Sequence, residues 1–131
     1  LELSTPVVKL WDGVLAVPMI GTLDSGRTQL VMEALLQRIV DTGSVLAIID
    51  ITGVPVVDTA VANALLQAAH AARLLGTEVI LTGIRPEVAQ TLVHIDANLQ
   101  NITTRGTLQS GIAYALSRTG DSARPLQPRL R

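Results

Sequence analysis

Hydrophobic residues in the first half of the chain fall into two different patterns. Residues 7–17 form two apolar stretches on either side of Asp12-Gly13, a two-residue turn signal, and predict a β-hairpin. From Arg27 to about Thr42, apolar residues recur every three or four positions, which predicts an amphipathic helix. Residues 45–51 are apolar except for one aspartate, as expected for a central strand of a sheet.

The second half of the chain continues this alternation of helical and strand-like segments. The pattern predicts, in order, a helix over 60–75, a strand over 78–82, a helix from Pro86 to about His94, a short strand over 101–104 and a helix over 108–116. Residues 119–131 contain two prolines and three arginines without periodicity, so we expect a flexible tail. The alternation predicts one α/β domain with a mostly parallel sheet.

Composition narrows the class of protein. The chain has 131 residues, 48% of them hydrophobic, with a net charge of -1 and no cysteine, which excludes disulfides, zinc–thiolate sites and thiol nucleophiles. Near-neutral charge and 2% aromatic residues argue against a nucleic-acid interface. The longest apolar runs are far shorter than the roughly 20 residues of a membrane-spanning helix. Because the chain begins with Leu1, we expect it to be an excised domain or a processed product.

Catalytic and ligand-binding alternatives have weak support in the sequence. His70 and His94 do not stand in a metal-ligand spacing, and we expect no metal or cofactor. Gly53 and Gly83 follow predicted strands, where α/β domains often bind ligands, so a small-ligand or nucleotide-binding domain is an alternative. A minimal hydrolase that uses Ser25 and a histidine is a further one. Neither alternative has a recognisable motif for its chemistry.

Two Asp–hydroxyl pairs carry more information. Asp24-Ser25 and Asp58-Thr59 each stand where a loop meets a predicted helix, and these residue types are preferred as helix caps. A phosphate on such a hydroxyl would add about 1.5–2 negative charges next to the free N–H groups of a helix end. The pairs are therefore ordinary caps or sites of a phosphorylation switch, and spacing alone favours the caps.

Three segments carry a family resemblance. They read DITGVPVVDT at 50–59, LTGIRPEVAQT at 81–91 and TLQSGI at 107–112. They resemble the STAS domain, and within that family the C-terminal domain of RsbR-type stressosome scaffold proteins. The likeness runs from about Pro6 to Leu116, and we place the domain at 6–118. It implies a mixed, mostly parallel sheet of four to five strands, with an N-terminal hairpin and about four helices packed on one side.

The resemblance also implies a function and its sites. Family members of this type are not enzymes; they are anti-anti-sigma factors or scaffold modules, phosphorylated on hydroxyl residues at the starts of the first two helices. The matching residues are Ser25 and Thr59. The residues implied to flank these sites and to contact partners are Asp24, Asp58, Gly53 and Pro55.

The implied partners are proteins. They are an RsbS-type STAS protein, an RsbT-type switch kinase that is held until phosphorylation releases it, and other copies of the same chain. The resemblance places this assembly in the cytoplasm, where it controls a general stress response without nucleic acid or membrane. An upstream sensor domain is expected outside this chain.

Overall fold

Five strands and four helices make up the described part of the chain, residues 6–95 and 102–119 of a computed structural model. In chain order they are β1 (Val8–Trp11), β2 (Val14–Ile20), α1 (Ser25–Thr42), β3 (Leu46–Gly53), α2 (Thr59–Leu74), β4 (Glu78–Thr82), α3 (Pro86–Ile95), β5 (Thr103–Arg105) and α4 (Leu108–Arg118). The predicted elements are all present, and their ends differ by two residues or fewer except in β2. The second strand of the hairpin was predicted to end at Val17, but it runs through Pro18 to Ile20 and pairs with β3 over that length. Residue 101 of the predicted last strand lies outside the described residues.

The strands form one sheet in the order β1-β2-β3-β4-β5. β1 pairs antiparallel with β2, as predicted for the hairpin, and every following pair is parallel. Leu15, Ala47 and Val79 stand side by side on β2, β3 and β4, which fixes the register of the three central strands. The predicted mixed, mostly parallel α/β sheet is therefore confirmed.

Helices cover both faces of the sheet. One face carries Leu15, Ile49 and Leu81, which belong to the large core beneath α1, α2 and α3. The opposite face carries Ile48 and Ile80 and packs against α4. The expectation that the helices lie on one side was wrong for α4. Because adjacent strand residues face opposite sides and both faces are apolar, each face needs its own cover.

The packed domain extends to Thr119, the first residue of the predicted tail. Thr119 is 7% exposed, and its backbone N–H donates to the carbonyl of Ala115. Its hydroxyl accepts a hydrogen bond from the indole Nε1 of Trp11, at 3.2 Å. The end of α4 is thereby fixed to β1, and the remaining tail residues, 120–131, lie outside the described residues.

Candidate functional site

The two candidate phosphorylation sites lie at the same edge of the sheet. α1 follows β2 and α2 follows β3, and these strands are parallel neighbours, so both helices begin at the carboxyl edge. The preceding loops are joined directly, since the backbone N–H of Gly21 donates to the carbonyl of Gly53 at 2.9 Å. The fold therefore places the starts of α1 and α2 side by side.

Each helix is capped by the aspartate that precedes its candidate hydroxyl. Asp24 and Asp58 both have extended backbone conformations, as N-cap residues do. The Asp24 carboxylate accepts from the backbone N–H of Arg27 at 3.0 Å, and that of Asp58 from Val61 at 2.8 Å. For α1, where the sequence left Asp24 and Ser25 as alternatives, the aspartate is the cap.

Ser25 and Thr59 are the first residues of their helices, and both are exposed. Because the aspartates act as the caps, neither hydroxyl is needed to close its helix. Each hydroxyl stands beside a carboxylate and next to backbone N–H groups of the first helical turn, which favour a negatively charged group. The geometry is compatible with a phosphate at either residue, and their assignment as phosphoacceptors stays a prediction.

The loop between β3 and α2 is held at both ends by buried valines. Val54 is fully buried and Val57 is 8% exposed, while Pro55 and Val56 between them are exposed. Gly53 lies against the Ile20 side chain at the end of β2. The tip of this loop, with Pro55, is thus presented to solvent beside Thr59. The roles of Gly53 and Pro55 in partner binding stay predictions.

A polar network on the other side of β3 was not foreseen from the sequence. The Asp50 carboxylate accepts hydrogen bonds from the hydroxyls of Thr52, at 2.9 Å, and Thr82, at 2.6 Å. The guanidinium of Arg85 donates to the Thr52 carbonyl through Nε at 3.2 Å and Nη2 at 3.1 Å. These residues belong to the segments at 50–59 and 81–91 that carry the family resemblance. The resemblance was the one feature of the sequence that pointed to these residues. It did not indicate that the two segments contact each other.

The hydrolase alternative finds no support in the geometry. His70 lies eleven residues beyond Thr59 in α2, about 16 Å along the helix axis from the edge where Ser25 lies. His94 lies in the last turn of α3, which begins at the carboxyl edge and therefore ends at the opposite one. The structure does not bring Ser25 together with either histidine.

The geometry also gives no support to the ligand-binding alternative, because the segments around Gly53 and Gly83 pack against each other. A Cβ atom added at Gly83 would stand 2.6 Å from the backbone nitrogen of Thr52. Thr52 therefore fills the space that an open glycine-lined cradle for a phosphate group would need.

The described residues form neither a metal-binding cluster nor a membrane-spanning helix. Within residues 6–95 and 102–119, no three His, Cys, Asp or Glu side chains are arranged so that they could hold a metal ion. No helix in the same residues is both long enough and apolar enough to cross a membrane.

This fold and this pair of helix starts define the class of protein. Residues 5–111 match the STAS domain model, and the chain belongs to the STAS domain family. The chain is 46% identical over 118 residues to the RsbT co-antagonist protein RsbRA of Bacillus subtilis. That alignment covers 90% of this chain and 43% of RsbRA, so the chain spans less than half the length of that relative. The predicted resemblance to RsbR-type proteins is confirmed.

Solved structures agree with the sequence relatives. A point variant of RsbS from Moorella thermoacetica has a TM-score of 0.75 and 32% identity, covering 86% of this chain and 97% of RsbS. A chain in a structure of the stressosome, described as a signal integration and transduction hub, has a TM-score of 0.71 and 30% identity. That match covers 86% of this chain and 99% of the other.

Proposed function

We propose that this domain is a non-catalytic, phosphorylatable interaction module of a cytoplasmic stressosome. In that assembly it binds an RsbS-type STAS protein, an RsbT-type switch kinase and further copies of itself. Its 46% sequence identity with an RsbT co-antagonist protein and its structural likeness to a chain of the stressosome support this function. The observation that carries the proposal is the pair of exposed hydroxyls, Ser25 and Thr59, at neighbouring helix starts.

A phosphate on either residue would act locally. It adds about 1.5–2 negative charges next to Asp24 or Asp58, at the carboxyl edge of the sheet where both aspartates lie. The helix end partly compensates this charge, so the fold is retained. A partner that covers the same edge would have to remove water from the phosphate and the carboxylate together, which is costly. Phosphorylation therefore weakens the contact without unfolding the domain.

This effect gives the module its regulatory consequence. The unphosphorylated domain holds the kinase within the assembly. Phosphorylation of Ser25 and Thr59 releases the kinase, which then activates a general stress response. The domain supplies the binding edge and the two acceptor hydroxyls, while the kinase supplies the chemistry of phosphoryl transfer.

The direct test is phosphorylation with an RsbT-type kinase and Mg-ATP, followed by mass spectrometry of the modified peptides. We expect phosphate on Ser25 and Thr59, and loss of each signal in Ser25→Ala and Thr59→Val. Ser110→Ala is the matched control, because Ser110 is also an exposed hydroxyl in the first turn of a helix but has no adjacent aspartate. Labelling of other hydroxyls while Ser25 and Thr59 remain unmodified would show that the assignment is wrong.

A binding measurement tests the regulatory part. The affinity of the domain for the RsbS-type partner or the kinase is compared before and after complete phosphorylation. We expect a loss of at least about tenfold, since an unfavourable charge contact in an interface raises the dissociation constant by this order. Unchanged affinity for both partners would mean that the phosphates do not control assembly.

A further inference from the structure

We infer that Arg85 is a positioning residue for phosphorylation of Thr59, which deepens the proposed function and rests on it. The reason begins with the lengths of two strands. β4 ends at Thr82, which pairs with Asp50, whereas β3 continues for three more residues to Gly53. The last part of β3 therefore extends beyond its neighbour, directly before the loop that leads to Thr59.

Arg85 supplies hydrogen bonds to the part of β3 that extends beyond β4. Its guanidinium donates two hydrogen bonds to the Thr52 carbonyl, from Nε at 3.2 Å and Nη2 at 3.1 Å. The next carbonyl, that of Gly53, is bonded from the β2 side by the N–H of Gly21 at 2.9 Å. Successive carbonyls of a strand point to opposite sides, so the end of β3 is held from both directions. On the β4 side, the Arg85 side chain bonds the backbone of β3 where a longer strand would otherwise do so.

Two neighbouring contacts bring the end of β3 close to the loop that carries Arg85. The Asp50 carboxylate accepts from the hydroxyls of both Thr52 and Thr82, and so joins the end of β3 to the end of β4. Gly83 has φ +75°, and its missing Cβ lets the loop after β4 lie against the Thr52 backbone. The Thr52 carbonyl therefore lies within reach of the Arg85 guanidinium, which holds it.

The consequence is specific to one of the two acceptors. From Thr52 the chain turns immediately, because the N–H of Val54 donates to the carbonyl of Ile51 at 3.0 Å, and then runs to the Asp58 cap. Loosening Thr52 loosens the start of this short loop and makes Thr59 less well ordered for a kinase. Ser25 follows a different strand, and both hydrogen bonds described for the Arg85 side chain go to Thr52, so Ser25 serves as an internal reference.

The experiment compares the two sites within the same molecule. The kcat/KM for phosphorylation by an RsbT-type kinase is measured separately at Thr59 and Ser25 by site-resolved mass spectrometry. In Arg85→Met we expect the Thr59 value to fall roughly three- to tenfold, the effect of losing one net hydrogen bond, with Ser25 changed less than about twofold. Arg85→Lys, which keeps the charge but not the planar fork, is expected to restore the Thr59 value only in part.

The control variant is Arg73→Met, which removes an exposed arginine at the far end of α2. It is expected to leave both rates unchanged. If neither hydroxyl of the wild-type chain is phosphorylated, the proposed function fails. If both are phosphorylated but the ratio of Thr59 to Ser25 is unchanged or raised in Arg85→Met, the positioning role of Arg85 is overturned.

Hydrogen exchange gives a second readout that needs no kinase. In Arg85→Met, the backbone amides of Gly53, Val54, Val56 and Val57 are expected to exchange faster than in the wild type, while those in the first turn of α1 stay unchanged. A uniform increase over the whole sheet would indicate a general loss of stability, and no increase in the loop would contradict the role of Arg85 in holding the end of β3. Either result overturns the inference whatever the kinase does.

Discussion

Asp58, which directly precedes the exposed Thr59, accepts a hydrogen bond on its carboxylate from the backbone N–H of Val61 at 2.8 Å. The same residue thus holds the first turn of α2 and sets the charge around the candidate phosphoacceptor. Asp24 stands in the same relation to Ser25 at the start of α1. Capping and charge are separate properties of the aspartate, and they can be separated by substitution.

Replacing Asp58 should show the contribution of the cap to stability. Asn is as good an N-cap as Asp, whereas Ala cannot accept the bond from Val61. We expect Asp58→Ala to lower the free energy of unfolding by about 1 kcal/mol and Asp58→Asn to change it by less than about half of that. Urea denaturation followed by circular dichroism measures both values. Equal losses in the two variants would show that charge, not the cap, stabilises this helix end.

A charged mimic at Thr59 should separate stability from binding. An acidic side chain in the first turn of a helix is favourable by roughly 0.3–1 kcal/mol, so Thr59→Glu should not lower the unfolding free energy. Its affinity for the RsbS-type partner or the kinase should nevertheless fall below that of Thr59→Gln, which has nearly the same shape without the charge. The two variants are compared by thermal unfolding and by calorimetric titration. Identical affinities would argue that Thr59 lies outside the interface.

The parts of this site that follow local rules could be predicted from the sequence. The pairs Asp24-Ser25 and Asp58-Thr59 were recognised as candidate caps because capping depends on a residue and the three that follow it. Helix and strand ends other than the end of β2 were placed within two residues for the same reason, since they depend on periodicity and on turn residues. The exposed hydroxyls of Ser25 and Thr59 follow from these local features.

The parts that depend on register could not be predicted in this way. The bond from Arg85 to the Thr52 carbonyl exists because β3 extends beyond β4, and hydrophobic patterns do not fix how two parallel strands align across an intervening helix. The position of α4 was missed for a related reason. Its apolar residues, such as Ile112, indicate that one side of the helix is buried, but not which face of the sheet covers it.

Glu78 lies at the opposite edge of the sheet from the candidate site and gives the domain a pH-dependent contact. Its carboxylate accepts hydrogen bonds from Thr103 and from the Tyr114 hydroxyl, both at 2.6 Å, and Arg118 stands 3.6 Å away. Burial alone would raise the pKa of Glu78. The two hydrogen bonds and the nearby Arg118 and Arg105 outweigh it, so the pKa lies below its ordinary value of 4.5.

This lowered pKa predicts a specific loss of stability in acid. A carboxyl whose pKa is lower in the folded chain stabilises the fold above the unfolded pKa, and that contribution disappears as the pH falls through the folded pKa. We expect Glu78→Gln to reduce the unfolding free energy near pH 6 and to make its decline below about pH 4.5 shallower. Glu87→Gln, at an exposed glutamate of α3, is the control. Parallel pH profiles for Glu78→Gln and the wild type would contradict the prediction.

Gly83 should be far less tolerant of a side chain than Gly76, although both have positive φ, +75° and +90°. Any other residue in the left-handed region costs about 1–2 kcal/mol, and Gly76→Ala should lose that much and no more, because its Cβ would meet nothing within 4 Å. Gly83→Ala bears the same cost, and its Cβ would also stand 2.6 Å from the nitrogen and 2.7 Å from the Cα of Thr52. Relief requires a shift of backbone, so we expect an additional loss of roughly 1–3 kcal/mol in urea denaturation. Equal losses in the two variants would mean that the loop after β4 can move away from Thr52 freely. The contacts of Asp50 and Arg85 would then hold the end of β3 only loosely.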